Sequence, residues 1–233
     1  MLARSLGLGF LLILGSTRCA KGDEIFTNLV LGQNYNTAIG NPVSGIGVTN
    51  GRKGIVLAAQ FTPTVGFTFT EAKLALGLTE GTNSVDVYLE SDCGGLPCTQ
   101  IDAMTLNGAL SEGSSSLVTV HSMASPLLNA QMPYWLVLTA GAANTVTFWY
   151  DNIAGDFSNS SDFAVAFSGD PNGPWSHFGE GQSRPAFEID GNAEPQPPTP
   201  QTPEPSSLLL FTSGLVVVIS ALQAKRQAGR SRP

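Results

Sequence analysis

The chain has 233 residues, of which 42% are hydrophobic and only 12% charged, with a formal net charge of −7. The stretch 21–193 alone holds sixteen carboxylates against five basic residues, a net −11, and is long enough to bury a substantial core without metals. Such a surface repels the phosphates of nucleic acid and of anionic lipid, so no nucleic-acid partner is expected.

Arg4 precedes the run Leu6–Leu14, which has the length and position of a signal-peptide core rather than of a spanning helix. Removal of residues 1–20 by signal peptidase is expected. Small residues at Gly15 and Thr17, or at Thr17 and Cys19, both suit the cleavage, while Arg18 directly before Cys19 argues against a lipoprotein signal.

From 21 to 193 the pattern reads as strand almost throughout. Val85, Val87 and Leu89 alternate with Asp86, Tyr88 and Glu90, the period of two of a strand with one wet face. Phe163, Val165 and Phe167 repeat it. So do Val146, Phe148 and Tyr150, set opposite Thr145, Thr147 and Trp149, whereas Tyr134–Leu138 is continuously apolar and suits a more buried strand. Clusters rich in Gly, Asn, Ser and Pro separate these runs at 41–54, 79–84, 108–115, 141–144, 155–161 and 169–173. Roughly ten short strands without an amphipathic helix predict an all-β, antiparallel β-sandwich with jelly-roll-like connections, a closed barrel being the alternative.

With the signal peptide removed, Cys93 and Cys98 are the remaining cysteines, with the four residues Gly94-Gly95-Leu96-Pro97 between them. Two glycines and a proline supply the tight turn that a disulfide needs, and export supplies the oxidising compartment. A metal site is the other use of two thiols, and no second Cys or His pair completes one.

Motifs for catalysis are missing. His121 and His177 sit in no recognisable motif, and there is no Gly-x-Ser-x-Gly, His-Glu-x-x-His or phosphate-binding glycine loop. A paired-carboxylate glycosidase needs only two acids that meet in space, which sequence alone does not decide. Two binding constellations stand out. Asp151, Asp156 and Asp162, with Asn152, Asn159 and Ser160 between them, form an oxygen-rich stretch able to ligate calcium, although solvated turn acids explain it as well. Trp149, Tyr150 and Trp175 are candidates to stack on sugar rings, although aromatics in a sandwich are usually core.

Residues 194–202 are proline-rich and read as an extended stalk. Pro203-Glu204-Pro205 follows, then Leu208–Leu222 without charge or proline, then Lys225, Arg226, Arg230 and Arg232. As a helix the apolar run reaches about 22 Å against about 30 Å of hydrocarbon, so it spans marginally, with its basic end held on the cytoplasmic side. Proline, acid, proline, a short apolar span and an arginine-rich end together resemble the PEP-CTERM sorting signal of exported bacterial proteins. That resemblance implies an exosortase as processing partner, with Pro203, Glu204 and Pro205 as its recognition motif. It also implies a transient membrane helix, and a destination at the cell surface or in the exopolysaccharide matrix of a Gram-negative bacterium.

Within 56–191, Ala58-Ala59-Gln60-Phe61-Thr62, Tyr88-Leu89-Glu90-Ser91-Asp92, Tyr134-Trp135-Leu136-Val137-Leu138 and Pro185-Ala186-Phe187-Glu188-Ile189-Asp190-Gly191 are similar to the choice-of-anchor families, small β-sandwich ectodomains. These pieces encode strands and turns and imply a fold rather than an activity. The sequence therefore reads as an exported, non-catalytic structural or adhesive protein. A carbohydrate-binding module is the alternative and a secreted hydrolase the third reading.

Overall fold

The computed structural model describes residues 22–48, 54–157 and 161–194. The signal sequence, the stalk, Pro203–Pro205, Leu208–Leu222 and the basic tail all lie outside the described residues. Contacts divide the chain into the units Met1–Glu194 and Pro195–Pro233. Among the described residues no helix is long and apolar enough to cross a membrane.

The described part is all-β. Its strands are β1 (Asp23–Thr27), β2 (Gly40–Ser44), β3 (Val56–Phe61), β4 (Phe67–Glu80), β5 (Ser84–Asp92), β6 (Pro97–Asn107) and β7 (Ser116–His121). There follow β8 (Leu127–Leu128), β9 (Tyr134–Ala140), β10 (Val146–Tyr150), β11 (Phe163–Ala166), β12 (Trp175–His177) and β13 (Phe187–Ala193). They pair antiparallel into a six-stranded sheet, β12-β11-β3-β9-β5-β6, and a seven-stranded sheet built on β4.

β4 is fourteen residues long and organises the second sheet. One edge takes β13 along Phe67–Leu74 and then β10 along Leu76–Glu80, while the other takes β8 and β7. β1 then extends β13, and β2 extends β10. The apolar face of β4 changes parity, from Phe67 and Phe69 to Ala72, Leu74, Leu76 and Leu78, all buried. The register of β13 slips at the same place, so a β-bulge at Thr70 keeps both halves facing the core.

Between the sheets lies one core, with Leu57 and Phe61 of β3, Val87 and Leu89 of β5, and Leu136 and Leu138 of β9 facing Leu74, Leu76 and Phe187. Each such side chain, fully buried, contributes about 1.5–3 kcal/mol. β9 is buried on both faces, as its continuous apolar run predicts.

Two expectations are corrected here. β2 forms inside the 41–54 stretch read as a turn cluster, because Pro42 is tolerated in a strand that pairs with β10 on one side. In β10 the faces are exchanged: Thr147 and Trp149 are fully buried while Val146, Phe148 and Tyr150 are half-buried on the outside. Thr147 can face inward because its Oγ1 donates to the Gly77 carbonyl at 2.8 Å.

Candidate functional site

Arg184 gathers two acids of the 151–162 stretch, Asp156 and Asp162. Asp156 accepts from Arg184 Nη1 at 3.2 Å through Oδ1 and from Asn28 Nδ2 at 3.0 Å through Oδ2. Asp162 Oδ2 lies 3.9 Å from the same guanidinium, whose Nη2 also donates to the Gln60 carbonyl. Asp151 stands apart, buried, accepting from Asn41 Nδ2 at 2.8 Å; burial pushes its carboxyl up to about 6, against the pull of that hydrogen bond. Asn152 bonds to the backbone of Asp156 and Arg184, and Asn159 and Ser160 lie outside the described residues. Of the three carboxylates proposed for calcium, a buried guanidinium thus already faces Asp156 and Asp162, and Asp151 is turned to Asn41. Among the described residues no group of three or more His, Cys, Asp or Glu side chains is arranged to hold a metal.

The aromatic platform is also dispersed. Trp149 is fully buried in the core, its Nε1 donating to the Ala186 carbonyl at 3.0 Å and its ring set edge-on to Phe187 at 6.0 Å. Tyr150 points the other way, its ring 6.4 Å from Tyr35. Trp175 belongs to the other sheet, on β12. Trp149 cannot stack on a ligand, and Tyr150 and Trp175 share no face.

The arrangement with most to offer a ligand is the outer face of the six-stranded sheet, which the sequence reading left wet. Register places His177, Ala164, Ala58, Val137 and Tyr88 in one row across five strands. A neighbouring row holds Gln60, Trp135, Glu90 and Gln100. Val56, Ala58, Trp135, Val137, Ala164 and Ala166 form a fully buried strip there, with half-buried Tyr88, Leu96 and Trp175 packed against it.

The disulfide turn accounts for part of that burial. Cys93 and Cys98 are joined, with Cα atoms 5.5 Å apart, and Gly94 and Gly95 take φ of 69° and 91°, where a side chain would be strained. Leu96 packs against the strip, and a Cβ on Gly95 would come within 3.7 Å of His177 Cε1 on β12. Asp92 fixes the turn: its Oδ1 accepts from Trp135 Nε1 at 2.8 Å and Gln60 Nε2 at 3.0 Å, and its Oδ2 from the Gly95 amide at 3.1 Å.

Glu90 is only 2% exposed, and burial pushes its carboxyl up to about 7. Its Oε2 has no hydrogen-bond partner, and neither has the buried Nε1 of Trp175. Burial first, then the charges of Asp86 and Glu90, raise the Tyr88 phenol. Such a face offers half-buried aromatic flanks, Tyr88 and Trp175, which suit hydroxyl-bearing rings better than ions, while the Glu90 oxygen and the Trp175 nitrogen lie beneath its surface. Tyr88, Glu90 and Trp135 were missed because alternation put Tyr88 and Glu90 on a solvent face, whereas in the fold Glu90 is buried and Tyr88 half-buried.

On the outer face of the seven-stranded sheet, Lys73 lies between Glu188, with which it makes a close contact, and Asp190 Oδ2 at 2.5 Å. Glu71 is 3.8 Å from the same ammonium and 3.2 Å from His121 Nδ1. A cavity of about 380 Å³, lined by Glu24, Thr27, Leu29, Val30, Gln33 and Glu188, opens beside this cluster.

No protein-family model matches the chain, and no curated protein is significantly similar to it.

Proposed function

We propose that this is an exported, exosortase-processed protein of the cell surface or extracellular matrix, whose non-catalytic β-sandwich domain serves a structural or adhesive role among exopolysaccharide. The carrying observation is the ordered tail: Pro203-Glu204-Pro205, the uncharged Leu208–Leu222 and the basic end at Lys225, Arg226, Arg230 and Arg232, preceded by an N-terminal signal-like run. The Cys93–Cys98 bridge and the acidic surface are compatible with life outside the cytoplasm. The experiment is C-terminal peptide mapping of protein isolated from hosts with and without exosortase. Surface protein lacking 208–233 in the first host, and intact precursor in the inner membrane of the second, is expected. Peptides covering Leu208–Leu222 in surface protein of the exosortase-positive host would refute the processing.

A second reading, a carbohydrate-binding module, is supported by the outer face of the six-stranded sheet, where half-buried Tyr88 and Trp175 flank an apolar strip. Saturable binding of matrix polysaccharide that is lost in Tyr88→Ala and Trp175→Ala, with the fold retained, is its expected signature. Binding that survives both substitutions removes this face from consideration.

A further inference from the structure

The Lys73 cluster has an unusual composition for a sheet surface. Lys73, Glu188 and Asp190 are 9%, 4% and 1% exposed, so an ammonium and two carboxylates are held largely out of water. Asp190 Oδ1 is buried with no hydrogen-bond partner, so this carboxylate is solvated on one oxygen only, by Lys73. One cation faces Glu188, Asp190 and, at 3.8 Å, Glu71, so negative charge is in excess. Charges so placed are costly, and a reaction that removes a pair of them relieves the cost.

We propose that Lys73 and Asp190 are a site of self-modification, condensing to an intramolecular isopeptide bond with Glu188 as proton carrier. The Nζ–Cγ bond forms, the bond from Cγ to one carboxyl oxygen breaks, and that oxygen leaves as water. An ammonium and a carboxylate become a neutral amide; the two protons lost from nitrogen are carried in turn by Glu188 to the departing oxygen. No oxidant, reductant or activated co-reactant is needed. Geometry supplies proximity: Nζ is already within hydrogen-bond distance of Asp190 and touches Glu188, all three on adjacent strands β4 and β13. Burial works to lower the Lys73 ammonium, but its hydrogen bonds to Asp190 and Glu188 outweigh that and hold it above its ordinary value. The amine therefore attacks only after a base has taken its proton, and Glu188 is the base in contact with it. Glu188 also lines the cavity, which gives the released water a way out. The product would tie β4 to β13 across 117 residues of chain, a covalent belt around the strands between them.

Peptide mass spectrometry of the full protein, recovered folded and then denatured and digested, tests this. The expected result is a peptide containing Lys73 joined to one containing Asp190, lighter than their sum by one water. Lys73→Arg keeps the ion pairs and should yield only the separate peptides, and Glu188→Gln should slow the linkage by about 100-fold. Separate Lys73 and Asp190 peptides from the folded parent protein would overturn the proposal. So would water loss confined to an unlinked peptide, the mark of Asp190 cyclising onto its own backbone at Gly191. Linkage undiminished in Glu188→Gln would remove Glu188 from the mechanism.

Discussion

Glu90 and Arg184 show how a single side chain sets conditions for its neighbourhood. The Glu90 carboxyl goes from an ordinary 4.5 to about 7, and Asp151 from 3.8 to about 6, chiefly because burial penalises the charged form. Raised values mean that the folded state holds more protons than the unfolded chain between about pH 4.5 and 7 for Glu90. Stability from this group is thus greatest on the acid side, falls through that window and levels off above it. Glu90→Gln, with its carboxyl already replaced by a neutral amide, should gain on the parent as pH rises, by on the order of 2 kcal/mol above neutrality. Paired thermal melts across pH check this, and a constant difference counts against it. Arg184 is 7% exposed and bound to half-buried Asp156, so Arg184→Ala should cost about 1–3 kcal/mol by removing the cation that this carboxylate faces. Because that guanidinium occupies the acid cluster, excess calcium or chelator should leave the parent melting temperature unchanged; a rise with calcium would show a native-state site.

At the scale of elements, β10 and the β5–β6 turn carry the most consequence. β10 delivers Trp149 into the core, where Trp149→Ala should cost about 3–5 kcal/mol in denaturant unfolding. The same truncation at half-buried Trp175 should cost much less, which separates a core indole from one available to a ligand. The β5–β6 turn is stapled by Cys93–Cys98 and anchored through Asp92 to Trp135. Reduction, or Cys93→Ser with Cys98→Ser, should cost about 2 kcal/mol, since the closed loop is short. It should also loosen the cover over Trp135. Faster exchange of the Trp135 indole proton in the reduced protein is the expected sign; equal protection in both states would mean that the anchor at Asp92 suffices without the bridge.

For the whole molecule, the sandwich and the tail answer different questions. Replacing Pro203 and Pro205 by Ala should leave the sandwich intact and the precursor uncut, read as retention of peptides from Leu208–Leu222 in an exosortase-positive host. Release of normally shortened protein would contradict that. Several features were legible without coordinates because local chemistry alone sets them. Period-two runs such as Val85–Leu89 fix strands, the apolar run at Tyr134–Leu138 marks a strand buried on both faces, and Gly94-Gly95 between two cysteines permits a bridge. Other features belong to tertiary structure. Which face of β10 turns inward depends on β4, whose Gly77 carbonyl satisfies the Thr147 hydroxyl, and no local pattern encodes that partner. Asp151, Asp156 and Asp162 are close in sequence, but Arg184, from a distant segment, takes Asp156 and Asp162 while Asn41 takes Asp151. Glu90 reads as a solvent residue but is buried in the fold, and Lys73 meets Asp190 only because β13 returns to pair with β4. The sequence by itself determined strands and bridge, where the interacting groups are neighbours in the chain. Burial and charge pairing at the two outer faces were decided by the tertiary structure alone, since both depend on groups that only folding brings together.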